Sequence, residues 1–203
     1  ADLFEQLAPS WTHTMLYLAS RSPRRRQLLE QIGVTFDVID VEIPEIRAVG
    51  EPALDYVSRV AREKAGAGLL RISGSSNACV MGADTEVELD GEVFGKPVDA
   101  VDAARMLERL SGRTHRVISV VWCVTAGSED HALSVSEVSF AVLDKARIER
   151  YVASGEPFGK AGAYAIQGYA ACFVSHLSGS YSGVMGLPLH ETSRLLDRFH
   201  VTG

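Results

Sequence analysis

The chain has 203 residues, 46% of them apolar and 23% charged, which is enough for one buried core and ordinary for a globular protein. Its formal charge of −6 excludes an overall basic footprint for nucleic acid, so any anion site must be a local gathering of Arg and Lys. No apolar run reaches the length of a membrane span. Cys79, Cys123 and Cys172 lie far apart inside apolar stretches, a spacing that predicts buried reduced thiols rather than a disulfide framework or a zinc site.

Taken in chain order, "ADLFEQLAPSWTHT" (1–14) has early acidic residues and lacks the basic-then-apolar order of a signal peptide. It reads as a short extension ahead of a single domain over 15–203. "MLYLAS" (15–20) is a buried strand. Ser22 and Pro23 then supply an N-cap and a first-turn proline, and Gly33 closes the helix. "TFDVID" (35–40) is a second strand, and 42–52 is a loop. Leu54, Val57, Val60 and Ala61 mark a helix over 53–70. "ACVMGAD" (78–84) reads as a strand ending on a carboxylate, followed by a hairpin over 85–97 with Asp90-Gly91 at its turn. A helix over 99–112 ends at Gly112. Two long strands follow, 114–127 and 132–143, joined by an acidic turn at "SED". Residues 144–156 form a helix capped by Asp144. Residues 164–180 read as strand-rich, and 187–200 as a terminal helix. The pattern is mixed α/β rather than a purely doubly wound sheet.

The chemistry-bearing residues lie at the junctions. At "YLASRSPRRRQ" a strand gives way to a helix, whose first N–H groups and dipole favour an anion. Ser20 and Ser22 add hydroxyl donors there. Arg24 and Arg25 stand in the first turn, where the dipole disfavours cations unless an anion sits nearby. From this stretch alone, a solvated basic face is an equal reading. Lys64 sits late in a helix, while Lys96 and Lys160 are set among Gly and Pro, which hold a loop close to a ligand. Several basic residues near separate turns suit a polyphosphate better than a single carboxylate. Asp84 and Glu45 are carboxylates that could share a Mg²⁺ with phosphate oxygens, although a turn cap and a solvated loop acid are the plain alternatives. No GxGxxG after a strand, GxxxxGK[ST] or GxSxG occurs, and the six histidines show no ligand spacing. His115 is expected at a partly exposed edge, and Tyr164, Tyr169 and Phe173 in the core.

The blocks "LASRSPRR" (18–25), "AREKA" (61–65), "GADTEVELDGEVFGKP" (82–97), "ARMLERLSGRTHRV" (104–117), "SGEPFGKAGAYAIQG" (154–168) and "GLPLHET" (186–192) together resemble the Maf (septum formation protein) family of nucleoside triphosphate pyrophosphatases. The resemblance implies hydrolysis of a nucleoside triphosphate to the monophosphate and pyrophosphate. It also implies a divalent metal, Mg²⁺ first, with Mn²⁺ or Co²⁺ as alternatives. The implied fold is an elongated mixed sheet with two α/β lobes and a central cleft, like that of inosine triphosphate pyrophosphatases. A cytoplasmic homodimer is implied, with neither membrane nor nucleic acid as partner.

By position, Asp84 matches the family's proton acceptor, and Glu45 matches the carboxylate tied with it to metal. Ser20, Arg24, Arg25, Lys64, Lys96 and Lys160 match the phosphate-contacting set, with Lys96 counted among the catalytic residues. Arg24, Thr85 and Gln167 match positions linked to base selection, and "AYAIQG" resembles the dTTP/UTP subgroup. Arg26 matches nothing specific. The same chemistry on 7-methyl-GTP, or a nucleotide-binding regulator of cell division, are the rival readings. Departures are Glu86, where an apolar residue is common, and the continuing acidity at Glu88, which either alters metal binding or faces water, together with the run "GYAACF" and the first 14 residues.

Overall fold

Near-continuous burial along the long apolar strand 78–89 requires a sheet covered on both faces there. The computed structural model describes residues 13–201 and shows a seven-stranded mixed sheet. Most of the expected 1–14 extension therefore lies outside the described residues. Strand β1 (Met15–Ala19) pairs in parallel with β2 (Phe36–Ile39) and with β3 (Ala78–Leu89). The rest is antiparallel: β3 with β4 (Glu92–Phe94) and β5 (Thr114–Val124), β5 with β6 (Glu129–Phe140), and β6 with β7 (Val174–Ser178).

Helix α1 (Pro23–Gln31) starts as its sequence dictates. The Ser22 hydroxyl accepts the Arg25 N–H at 3.4 Å, and Pro23 occupies the first turn. Helix α2 (Ala53–Arg71) lies across the sheet on Ala61 and Ala65, both fully buried. Its seat is Gly82: a Cβ there would run into the backbone of Ala61 and Ala65. Helix α3 (Ala100–Leu110) is capped by Asp99, and α4 (Lys145–Ala153) by Asp144 as expected. Helices α5 (Tyr181–Met185) and α6 (Leu189–Arg198) follow β7.

The apolar core divides along β3. Its first half packs Cys79, Met81 and Ala83 with β1, α1 and α6. Its last residues, Val87 and Leu89, pack with α3, α4 and the end of β6. The mixed α/β architecture is thus as expected.

Several boundaries differ from the sequence reading. The strand expected to stop at Asp84 runs on to Leu89, because β5 pairs with it without interruption from Val80↔Val124 to Glu88↔Arg116. The turn between β5 and β6 is not "SED". It lies at Thr125–Ser128, where Thr125 N–H donates to the Ser128 carbonyl at 2.8 Å, and Glu129 and Asp130 belong to β6. Residues 164–180 hold turns and one 3-10 segment, Tyr169–Cys172, with β7 the one strand there, and a second 3-10 segment, Ala161–Ala163, lies just ahead. Gly162 at φ +71 breaks the run, in a conformation that glycine alone adopts freely. Cys172 is consequently exposed, while Cys79 and Cys123 are buried. Tyr164 and Phe173 are core residues, but Tyr169 is exposed. His115 is buried rather than at an edge, since β5 is an interior strand with partners on both sides.

Candidate active site

The cleft is a notch in the sheet. On one edge of β3, β1 covers residues 78–81 and β4 covers 87–89. Residues 82–86 have no strand on that edge among the described residues, while β5 holds the opposite edge throughout. Parallel strand β1 ends at the notch, so Ser20 and the first turn of α1 open onto it. The chain leaving β2 supplies Glu45, and the chain leaving β4 supplies Lys96. The cleft encloses about 580 Å³, a volume suited to a small-molecule ligand. Its lining includes all ten residues expected from the sequence: Ser20, Arg24, Arg25, Glu45, Lys64, Asp84, Thr85, Lys96, Lys160 and Gln167.

Asp84 projects from the centre of the notch and is buried. Lys64 reaches it from α2, with Nζ 3.2 Å from Asp84 Oδ1 and 2.6 Å from Glu45 Oε1. One ammonium therefore bridges two carboxylates. Burial raises the Asp84 carboxyl above its usual range, against the pull of Lys64 and Arg25. Burial also acts on Glu45, but Lys64, then Lys96 and Arg25, hold that carboxyl below its usual range.

Arg25 is fixed by acceptors on the far side of the strand. Its Nε donates to the Gly186 carbonyl at 2.8 Å, and Nη2 donates to Thr85 Oγ1 at 3.2 Å. The Thr85 hydroxyl also lies 2.6 Å from Ser119 Oγ, and Ser119 in turn donates to the Gly183 carbonyl at 2.7 Å. Thr85 thus holds an arginine in place as well as lining the cleft. Arg24 is half-buried with no ion pair among the described residues, and burial lowers its guanidinium pKa. Burial, then repulsion from Arg24, lowers the Lys160 ammonium pKa. Lys160 Nζ donates to the Glu156 carbonyl at 2.9 Å. Arg26 is exposed and absent from the lining.

Cations that repel one another across a cleft call for an anion between them. This geometry agrees with the family comparison, in which the Maf-like protein model matches residues 15–199. The chain belongs to the Maf family. A nucleoside triphosphate pyrophosphatase from Xylella fastidiosa is 61% identical over 186 residues, 91% of this chain and 98% of that protein. A dTTP/UTP pyrophosphatase from Xanthomonas axonopodis pv. citri is 57% identical over 187 residues, again 91% and 98% of the two chains. The structure of the Staphylococcus aureus Ham1 protein shares a partial likeness, with a TM-score of 0.43 and 15% identity over 63% of this chain and 72% of that one.

One residue of this Maf-like chain was left by the sequence between two readings, an effect on metal binding or a side chain facing water. Glu86 lies in the cleft and is buried, which removes the second. Glu45, Asp84 and Glu86 each offer a carboxylate oxygen, and these atoms lie within 4.8 Å of one another. Asp84 Oδ2 and Glu86 Oε2 are buried without a hydrogen-bond partner. Burial, then the charges of Asp84 and Glu45, raise the Glu86 carboxyl well above its usual range. Hard oxygen donors with unsatisfied lone pairs are what a divalent cation takes, so the residues present fit a Mg²⁺-type ion. The signal was available in the sequence: in a strand that continues past Asp84, Glu86 must share its face.

Proposed function

We propose that this chain hydrolyses dTTP and UTP between the α- and β-phosphates, releasing the nucleoside monophosphate and pyrophosphate. The observation that carries the reading is the meeting of Asp84, Glu45 and Lys64 with Arg24, Arg25, Lys96 and Lys160 in one cleft. The names of the relatives at 57–61% identity support it. A divalent cation held by Glu45 and Asp84 would supply neutralising charge to the phosphates and acidify a bound water.

The chain's own residues do the rest. Arg24, Arg25 and Lys160 bind and orient the polyphosphate. Lys96 faces the charge that grows on the leaving pyrophosphate. The raised pKa of Asp84 makes it a better proton acceptor than an exposed aspartate, and it takes the proton from the attacking water. Lys64, which lines the same cleft between Asp84 and Glu45, adds a further phosphate contact. Gln167 stands at the cleft beside Tyr164 and Ala165, where its amide offers both a donor and an acceptor to a pyrimidine edge. Mg²⁺ is the proposed metal, with Mn²⁺ or Co²⁺ as substitutes, and a cytoplasmic homodimer is the proposed working form. All of these rest on what the family resemblance implies. No helix among the described residues is long and apolar enough to cross a membrane.

A panel of triphosphates read by pyrophosphate release tests the reading. dTTP and UTP should lead, and Asp84→Asn should lose about 10²- to 10⁴-fold in rate. Wild-type turnover by Asp84→Asn would overturn the mechanism. Preference for 7-methyl-GTP would overturn the base assignment. Absence of turnover on every triphosphate would favour a nucleotide-binding regulator.

A further inference from the structure

We propose that Glu86 is a third carboxylate ligand of the metal site, and that it lets the site take a divalent cation before nucleotide arrives. The inference rests on the metal-dependent reading of the same cleft. Asp84 and Glu86 are two residues apart on one strand and therefore point to one side of it. Their oxygens and one of Glu45 lie within 4.8 Å of one another, a separation that a single ion can span. Each of the two strand carboxylates also has one buried, unpartnered oxygen, Asp84 Oδ2 and Glu86 Oε2. Glu86 is only 7% exposed, so water does not satisfy it in place of a ligand.

The charge balance points the same way. Lys64 makes close ion pairs with Glu45 and Asp84. Glu86 makes none among the described residues, although burying an uncompensated carboxylate is costly. A Mg²⁺ site built from two carboxylates usually completes its shell with substrate phosphates. A third carboxylate supplies from the protein what the nucleotide would otherwise bring. The order of binding then changes: metal first, triphosphate second.

Glu88 provides the control. It is next on the same face, but it lies beyond the notch and is paired with Arg116 at 2.5 Å. The experiment titrates Mn²⁺ alone into the full chain without nucleotide, following free Mn²⁺ by electron paramagnetic resonance. The wild type should bind one ion. Glu86→Gln, which keeps the side-chain shape, should weaken binding at least about tenfold, and Glu88→Gln should leave it unchanged. Thermal melts provide the second readout. Metal-free Glu86→Gln should melt no lower than the wild type, because a like charge is gone, and Mn²⁺ should raise its midpoint less. Equal Mn²⁺ affinity of wild type and Glu86→Gln would overturn the proposal. So would equal losses from Glu86→Gln and Glu88→Gln, or no nucleotide-free binding by the wild type. Pyrophosphate release from dTTP, measured separately, reports on the hydrolytic reading, so the two can fail independently.

Discussion

Three consecutive arginines have three different fates. Arg25 is locked by Gly186 and Thr85, Arg24 faces the cleft without an ion pair among the described residues, and Arg26 is exposed. The sequence supports that division only in part, since spacing along a helix start does not say which side faces the sheet. Arg24→Ala and Arg25→Ala should each cut turnover at least about tenfold, because each removes a charge-assisted contact to phosphate. Arg26→Ala should stay within twofold, as an exposed charge does. Equal losses from all three in a steady-state assay would return the run to a generic basic patch. His115 was hidden for another reason: a polar side chain next to Arg116 looks like a strand end until the partners of β5 are known. Its Nε2 lies 2.6 Å from the Tyr164 hydroxyl, and burial pushes its pKa from 6.5 down to about 4. The folded chain therefore refuses a proton that the unfolded chain accepts, and stability falls as pH drops below 6.5. Between pH 7 and 5 the loss should be about 2 kcal/mol, read as a lower urea midpoint. His115→Gln should flatten that pH dependence.

At the scale of elements, caps and periodicity were legible and the notch was not. Ser22 and Asp144 cap as the sequence placed them, while Asp99, read as the first residue of its helix, is the cap of α3. The break expected at Asp84 came from reading a carboxylate as the end of a strand, ahead of a separate hairpin. Asp84 and Glu86 can be polar within one strand because the sheet is open there, which depends on β1 and β4 stopping short of each other along one edge. No local pattern encodes that gap. Gly82 shows how closely two elements must meet to build the site. It allows α2 to lie on β3, which brings Lys64 to Asp84. Gly82→Ala should cost about 1–3 kcal/mol by overpacking, since the obstacle is helix backbone rather than a flexible side chain. It should also lower kcat by displacing Lys64. A chemical-denaturation midpoint equal to the wild type would show that the helix can shift without strain.

For the whole molecule, the mixed α/β class and the gathering of the expected residues follow the sequence reading, because family blocks scattered over the chain all return to one cleft. What remained out of reach was the arrangement of cores on either side of it. The β3–β5 ladder crosses from one core to the other beneath the notch, and β6 backs it along its length. That ladder is a beam. It joins the two cores by an unbroken run of paired residues, and Asp84 sits in the middle of that run. Glu45, on the loop after β2, and Lys160 and Gln167, on the turns after α4, hang from parts the beam does not brace. On the proposed reading, adjustment to an incoming nucleotide would fall to those walls, while Asp84 keeps its place in the ladder. Base recognition and proton transfer would then be carried by differently braced parts, and a change in base preference could be made at the walls without disturbing the floor.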